Sequence, residues 1–434
     1  MKSIDRSILH LALPSVISNI TVPLLGLVDL AIAGHIGDAS TVSAISIGSM
    51  IFNVMYWMFG FLRMGTSGMT SQALGGRNLR EVIHILLRSL TVALGIALVI
   101  LVCQWPIRVI ALRLMHTPAE VYGQAETYFN ICVWGVPAML SLYVFTGWFV
   151  GMQDTRTPLF IAVSQNVINI LASATLVFVG HWGIAGIACG TLIAQWSGFA
   201  LSVLVWLKGY GRLRKWLAGG MLYSRSSFVR LFRVNRDIFI RTLFLVAVNF
   251  SFTSLGARQG AVVLAANTLL LTLYTLFSYI MDGVAFAGEA LTGKCYGAGD
   301  VQTLRSTIAR LFWWGMLLML FFTLLYIVGA RPFLGLLTND AVIIGSARLY
   351  LPWAYLIPVC GMAAFIYDGI FIGMTATRGM LVSSAIAGIL FFVVAYLLRP
   401  LMGNHALWLA FIIFLATRGV VQCIWLKQVY NLSR

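Results

Sequence analysis

Apolar residues fall in long uninterrupted runs along this chain, separated by short polar stretches rich in Gly, Pro, Asp and Arg. A run of about 20 apolar residues forms a helix that crosses the hydrocarbon core of a bilayer. Strands of a membrane barrel are shorter and alternate between apolar and polar positions, which these runs do not. The pattern predicts about twelve membrane spans, near residues 13–33, 45–65, 83–104, 127–150, 159–179, 184–207, 238–256, 262–287, 311–329, 349–372, 381–398 and 406–426.

Composition agrees with this pattern, because 60% of the 434 residues are hydrophobic and only 10% are charged. A soluble domain carries about 25% charged residues, so this chain lacks the polar side chains to cover a globule in water. Lipid permits only helices and closed barrels, because every backbone polar group there needs an internal partner. We therefore predict an all-α polytopic membrane protein.

Basic residues indicate how the chain is divided and oriented. The longest polar stretch, residues 209–236, separates a predicted N-lobe (residues 1–208, spans 1 to 6) from a predicted C-lobe (residues 237–434, spans 7 to 12). Most Lys and Arg lie on the same side as this stretch, which predicts a basic cytoplasmic linker and cytoplasmic termini. The net charge of +16 raises nucleic-acid binding as an alternative. We expect no nucleic-acid partner, because the basic residues lie between spans and form no separate domain.

The two halves resemble each other at one constant spacing along the chain, here called the half-to-half spacing. Matching pairs at this spacing are Gly34 and Gly256, Thr70 and Thr292, Gly75 and Gly297, Arg88 and Arg310, Gly151 and Gly373, Thr155 and Thr377, and Arg156 and Arg378. Six spans per half is an even number, so both halves have the same orientation. This predicts a pseudo-twofold axis along the membrane normal. Internal repetition of this kind favours alternating access over a fixed pore.

No catalytic motif stands out, since the sequence has no Walker A loop, no zinc-spaced His/Glu pair and no nucleophile elbow. The six cysteines are scattered through apolar segments without the spacing of a metal site. We expect a transporter and not an enzyme, with no metal and no cofactor. Without a nucleotide-binding domain, an ion gradient would drive transport.

Acidic residues inside the spans are the most informative candidates for function. Asp29 lies deep in the first span, where an ionised carboxylate costs about 2.5–3.5 kcal/mol, so proton uptake is a natural response. Pro14 and Pro23 interrupt the hydrogen-bond ladder of the same helix and would let it bend. The structural alternative for Asp29 is a cap at that kink or a pair with a neighbour. Asp282 and Asp368 make the same argument in the second half.

Polar and methionine side chains add candidates for a substrate cavity. Asn166 and Asn169 are three residues apart on one helical face and could line a cavity with Asp29. Interhelical hydrogen bonding is the alternative. Met50 and Met64 either pack or offer a surface for amphipathic compounds. A cavity with aromatic walls and one carboxylate suits a lipophilic cation. Buried in the twelfth span, Arg418 either pairs with an acid or extends to the interface, and both interpretations stay open.

Several segments together resemble the multidrug and toxic compound extrusion (MATE) transporters, most closely their DinF-like bacterial branch. They are Leu11-Ala12-Leu13-Pro14, the run from Asn19 to Asp29, Gly34-His35, Phe61-Leu62-Arg63-Met64, Asn235-Arg236-Asp237, Met281-Asp282-Gly283, the run from Asp368 to Gly373, and the run from Gly403 to Leu409. The resemblance covers essentially the whole chain.

This resemblance implies two six-helix lobes forming a V and export of organic cations in exchange for H⁺ or Na⁺. It further implies that Asp29 couples transport, and that Asn169 and Thr191 join it in one network. The family usually has an aspartate four residues after that Asn, where this chain has Ser173. Losing that carboxylate weakens the case for Na⁺, because hard cations need several oxygen ligands and a matching charge. Asp368 matches an acid used for cation binding in the NorM-like branch, so a second coupling site stays open.

We therefore expect an H⁺-coupled multidrug antiporter that exports amphipathic cationic compounds. It would lie in the bacterial inner membrane and act as a monomer. Two alternatives remain. One is Na⁺-coupled antiport, and the other is flipping of lipid precursors by a member of the same superfamily. A flippase should have a strongly basic central cavity, and few Arg or Lys lie within the predicted spans.

Overall fold

A computed structural model describes the backbone of residues 2–36, 39–216 and 224–432. Within these ranges the side chains at 2, 22–28, 30, 35, 36, 39 and 429–432 are not described. The structure is 92% helical, and no strand occurs in the ranges just given. The predicted all-α architecture is therefore confirmed.

Fifteen α-helices follow one another along the described chain. The first nine are α1 (Lys2–Ile36), α2 (Ala39–Met58), α3 (Phe61–Gly75), α4 (Leu79–Val102), α5 (Gln104–Leu114), α6 (Ala119–Cys132), α7 (Val136–Gly151), α8 (Arg156–Ala174) and α9 (Gly183–Tyr210). The remaining six are α10 (Arg225–Ala257), α11 (Ala261–Gly297), α12 (Val301–Leu337), α13 (Ala341–Gly373), α14 (Thr377–Met402) and α15 (Asn404–Leu432).

Eleven helical segments in the described part of the chain are long and apolar enough to cross a membrane. They are Ser40–Gly75, Leu79–Val102, Ala119–Gly151, Arg156–Val179, Gly183–Trp216, Arg225–Ala257, Ala261–Gly297, Val301–Leu337, Ala341–Gly373, Thr377–Met402 and Asn404–Gln428. Each contains or largely covers one of the predicted spans 2 to 12. The predicted first span, residues 13–33, lies within α1 and includes side chains outside the described set.

The basic stretch 209–236 is more helical than a linker would suggest. A short 3₁₀ helix covers Gly211–Trp216, and α10 already begins at Arg225. Ser224 precedes this helix, and its hydroxyl oxygen accepts a hydrogen bond from the Ser227 backbone N–H at 3.3 Å. A serine that accepts a first-turn N–H is a favourable helix N-cap. The first basic residues of the second half therefore lie on a helix.

Local backbone conformation repeats at the half-to-half spacing. Three pairs of residues at this spacing share a left-handed φ: Arg77 (54°) with Gly299 (71°), Gln153 (67°) with Thr375 (51°), and His181 (56°) with Gly403 (57°). Asn78 and Asp300, which also correspond, cap α4 and α12 by accepting a backbone N–H three residues on. Non-glycine residues rarely adopt positive φ, so this series indicates a repeated fold.

Close helix crossings repeat in the same way. In the first half, a Cβ at Gly147 of α7 would collide with the backbone of Arg63 on α3. In the second half, a Cβ at Gly369 of α13 would collide with the backbone of Ala285 on α11. Gly147 corresponds to Gly369 at the half-to-half spacing, and Arg63 corresponds to Ala285. Glycine lets helix backbones approach closely where membrane helices cross, so the repeat extends to packing.

The chain forms two compact units, residues 17–232 and residues 1–16 with 233–434. The division falls inside α1, two residues after Pro14. In the first unit the indole of Trp148 donates to the Val82 carbonyl at 2.9 Å. In the second, the buried amides of Asn267 and Asn404 bond each other reciprocally. The lobes predicted as residues 1–208 and 237–434 stay a prediction.

Candidate functional site

Asp29 lies on α1 and is only 3% exposed. One carboxylate oxygen, Oδ2, accepts a hydrogen bond from the Thr191 hydroxyl of α9 at 3.2 Å. Thr191 lies in a helix of small residues, with Gly190 packed directly against Ser173 of α8. This close approach of α8 and α9 lets polar groups from both helices gather at the carboxylate.

Asn169 of α8 completes a short chain of hydrogen bonds. Its side-chain amide donates to the Thr191 hydroxyl oxygen at 3.2 Å, and Asn169 is fully buried. The Thr191 hydroxyl is also 3.2 Å from the Ile187 carbonyl oxygen. A hydroxyl has one proton, so Thr191 donates either to Asp29 or to Ile187 at any moment. The structure thus brings together Asp29, Asn169 and Thr191.

Three buried oxygens of this site have no hydrogen-bond partner among the described residues. They are Oδ1 of Asp29, Oδ1 of Asn169 and Oγ of Ser173. In the same part of the chain, no Lys, Arg or His forms an ion pair with Asp29. A buried carboxylate without a cationic partner is costly, and either a proton or a cation would compensate it.

Asn166, predicted to line a cavity with Asp29 or to form an interhelical hydrogen bond, forms such a bond. It is half-buried on α8, and its amide donates to the Thr21 carbonyl of α1 at 2.9 Å. Asn166 therefore holds α1 against α8, one turn from Asn169. The Pro23 side chain is among those not described, and Pro14 is half-buried within α1.

An aromatic cluster lies one helical turn from Thr191. Gln195, four residues on, donates to the Tyr56 hydroxyl at 3.4 Å. Around Tyr56, the ring of Phe52 is 5.9 Å away and that of Tyr143 is 6.5 Å away, measured between centroids. Such rings favour cationic or aromatic partners. The two predicted methionines lie outside the hydrogen-bonded network: Met50 is 53% exposed on α2, and Met64 is half-buried on α3.

Asp368, the second-half candidate on α13, accepts hydrogen bonds from two arginines. Its Oδ2 accepts hydrogen bonds from Arg241 of α10 and from Arg418 of α15, the latter at 2.5 Å. Its Oδ1 accepts from Gln422 at 2.7 Å. All four residues are at most 6% exposed. Arg418 therefore pairs with an acid, which decides the question that the sequence left open.

Asp282 belongs to the same charged region. It is half-buried on α11 and interacts electrostatically with Arg241. The negative charges of Asp282 and Asp368 thus offset the positive charges of Arg241 and Arg418. The next residue, Gly283, packs so closely on α1 that a Cβ would lie 2.9 Å from the Val16 backbone nitrogen. Sequence reasoning missed Arg241 and Gln422. An arginine inside the predicted seventh span was a usable signal, whereas Gln422 had none.

Replacing Thr191 by valine tests the hydrogen-bond chain. Thr191→Val keeps the shape but removes the hydroxyl, leaving Asn169 Nδ2 and Asp29 Oδ2 without this partner. A buried unpaired polar group costs about 1–3 kcal/mol. We expect slower export and a lower melting temperature in purified protein. Thr191→Ser, which keeps the hydroxyl, is the matched control. Wild-type export and stability in Thr191→Val would show that the chain of hydrogen bonds is dispensable.

Comparison with known proteins gives a consistent result. The MatE family model matches residues 14–175 and, a second time, residues 238–397. DNA damage-inducible protein F of Escherichia coli (strain K12) is 36% identical, covering 99% of this chain and 94% of that protein. The probable multidrug resistance protein NorM of Thermotoga maritima is 22% identical, covering 80% of this chain and 75% of that protein. A crystal structure of MATE in the bent conformation superposes with a TM-score of 0.89 at 18% identity. The superposition covers 99% of this chain and 96% of the chain in that structure.

Proposed function

This chain belongs to the MATE family of multidrug and toxin extrusion transporters, and we propose that it exports amphipathic cations in exchange for H⁺. The observation that carries this proposal is the environment of Asp29. Its carboxylate is buried, has one hydroxyl donor, lacks a cationic partner among the described residues and keeps one oxygen unpaired there. Such a group binds either a proton or a positively charged compound, and the two compete.

Competition at one carboxylate is sufficient for antiport. With Asp29 ionised and open to the cytoplasm, the site favours a lipophilic cation, and the nearby aromatic cluster adds cation–π attraction. Proton uptake from outside cancels the charge and releases the cation. Transport depends on this difference in affinity between states, not on tight binding. Exchange of one monovalent cation for one proton moves no net charge, so the pH gradient drives it.

The surroundings of Asp368 favour Asp29 as the coupling acid. Both oxygens of Asp368 already accept hydrogen bonds, two of them from guanidinium groups. A cation would have to displace or repel these arginines, which costs more than binding at an unpaired carboxylate. Asp282 is less buried and shares the same arginine-rich region. We therefore assign a structural role to Asp368 and leave proton exchange to Asp29.

Two alternatives make different demands on the site. For Na⁺ coupling, Asp29 Oδ1, Asn169 Oδ1 and Ser173 Oγ offer three oxygens with one charge, a small set for a hard cation. For a lipid-precursor flippase, the buried arginines would need to be free to bind phosphate. Arg241 and Arg418 are instead held by Asp368.

We further propose that the protein is a monomer in the bacterial inner membrane with both termini in the cytoplasm. Exposed arginines at Arg212, Arg214 and Arg225 lie on the stretch between the halves. Basic residues are retained on the cytoplasmic side of membrane proteins. This orientation makes the ends of α9 and α15, and the beginnings of α10 and α14, cytoplasmic.

Ethidium uptake into inside-out vesicles tests the proposed function. We expect uptake when the vesicle lumen is acidic, with no requirement for Na⁺, and loss of uptake when a protonophore collapses the pH gradient. Vesicles from cells lacking the protein are the control. Uptake that needs Na⁺ would overturn proton coupling. Absence of uptake under either gradient, with the protein present and folded, would overturn the cationic substrate class.

A further inference from the structure

An arginine-lined pocket of about 650 Å³ opens in the unit formed by residues 1–16 and 233–434. It lies between residues 233–237 of α10, the beginning of α14 and Trp425 of α15. The residues that matter for its chemistry are Arg233, Arg236, Asp237, Ala376, Arg378 and Trp425. Its volume is within the usual range of about 300–1,000 Å³ for small-molecule sites. None of these residues belongs to the Asp29 site.

The charge of this pocket is only partly balanced. Asp237 is buried and accepts hydrogen bonds from Arg236 at 2.9 Å and from the Thr377 hydroxyl at 3.3 Å. Arg233 and Arg378 are exposed, and neither guanidinium has an ion-pair or hydrogen-bond partner among the described residues. The pocket therefore carries an excess of two positive charges, which favours an anionic ligand.

The corresponding place in the first half contains its own anion. Asp154, which corresponds to Ala376 at the half-to-half spacing, accepts the backbone N–H of Thr157 in the first turn of α8 at 3.0 Å. Ala376, directly before α14, has no side chain that could accept such an N–H. The preceding residues, Gln153 and Thr375, share the left-handed φ, so the turns match. The second half thus has a similar turn, without a carboxylate at position 376.

We propose that this pocket binds the phosphate headgroup of an anionic phospholipid from the cytoplasmic leaflet. The phosphate would add, beside Asp237, the negative charge that Asp154 supplies at the corresponding position in the first half. Guanidinium groups bind phosphate through paired hydrogen bonds, and helix N-termini favour anions. A lipid is favoured over a soluble anion by Trp425 and Leu381, which also line the pocket. Tryptophan is typical of the membrane interface, and Leu381 begins an apolar span that would contact an acyl chain.

The test measures lipid binding directly, so its result is separate from that of the transport assay, although it rests on the proposed orientation. Delipidated full-length protein in neutral detergent is titrated with phosphatidylglycerol or phosphatidylcholine, and bound lipid is counted by native mass spectrometry. The variants are Arg233→Gln with Arg378→Gln, and separately Ala376→Asp. The matched control is Arg212→Gln with Arg225→Gln, which removes two exposed charges outside the pocket.

We expect the wild type to bind one phosphatidylglycerol in preference to phosphatidylcholine. Each basic residue near a membrane surface changes the affinity for anionic lipid by about fivefold, so the pocket double variant should bind about 25-fold more weakly. Ala376→Asp should also weaken binding while retaining every arginine, because it places a carboxylate where Asp154 has one. The control should bind like the wild type.

Two results would overturn the proposal. Equal loss of phosphatidylglycerol in the pocket and control variants would show general charge attraction and not a site. Binding of glycerol phosphate that depends on Arg233 and Arg378 and excludes phosphatidylglycerol would assign the pocket to a soluble anion. If the double variant does not fold, as judged by its melting temperature in neutral detergent, Ala376→Asp decides the question alone.

Discussion

Asp29→Asn is expected to leave the protein folded and to abolish accumulation of ethidium against its concentration gradient. Asparagine has the same shape, can accept the Thr191 hydroxyl and removes a buried charge, so stability should not fall. It cannot exchange a proton. One pH unit is worth about 1.4 kcal/mol, so a gradient of about two units sustains about a hundredfold accumulation at one proton per cation. The variant should accumulate none.

The control for this experiment is Asp340→Asn. Asp340 is the exposed N-cap of α13, and its carboxylate accepts the backbone N–H groups of Val342 and Ile343. Asparagine is an equally good cap, so this variant should transport ethidium normally. Melting temperatures of both variants establish that they are folded. Wild-type accumulation by Asp29→Asn at normal expression would remove Asp29 from the coupling role.

Asp368→Asn is expected to destabilise the protein strongly. It leaves Arg241 and Arg418, both buried, without the carboxylate that each now contacts. Removing one partner of a buried ion pair costs about 3–5 kcal/mol, because the remaining charge is uncompensated. Purified Asp368→Asn should therefore melt at a much lower temperature than the wild type, and its expression in membranes should fall.

A second variant separates this structural role from a coupling role. Asp368→Asn combined with Arg418→Met removes one positive charge and leaves Arg241 near Asp282. Part of the lost stability should return, because fewer buried charges remain unpaired. If Asp368→Asn instead melts like the wild type and loses only pH-driven transport, Asp368 is a coupling acid and our assignment is wrong.

The positions of the helices could be predicted because a bilayer imposes a nearly fixed length of apolar residues on each span. Eleven of the predicted spans coincide with described helices. The half-to-half spacing could also be recognised in the sequence, because a close helix crossing that occurs in both halves requires glycine at the same position in each. The beginning of α10 was missed inside the basic stretch. Ser224 followed by helix-compatible residues was a usable signal, but the charge pattern suggested a linker.

It was harder to predict which residues contact each other across the site than to predict which residues belong to it. Hydropathy identifies an acid within a span, but it does not show which distant helix faces that acid. Asp368 bonds Arg241, 127 residues earlier, and Arg418, 50 residues later. Helical spacing indicated that Asn169 could line a cavity with Asp29, but only family resemblance implied that Thr191 joins them in one network, because spacing alone does not bring α9 to α1. Asn166 shares a helical face with Asn169, yet it bonds a backbone carbonyl.

The single proton of the Thr191 hydroxyl has a consequence for the speed of the cycle. It can point to Asp29 Oδ2 or to the Ile187 carbonyl, each at 3.2 Å, without movement of a heavy atom. A hydroxyl hydrogen rotates about as fast as a methyl group, in picoseconds to nanoseconds, whereas helices move in microseconds to milliseconds. The network therefore re-equilibrates long before the helices move. Each slow movement of the helices therefore starts from the charge that Asp29 has at that time, and it does not depend on the charge that Asp29 had in an earlier step.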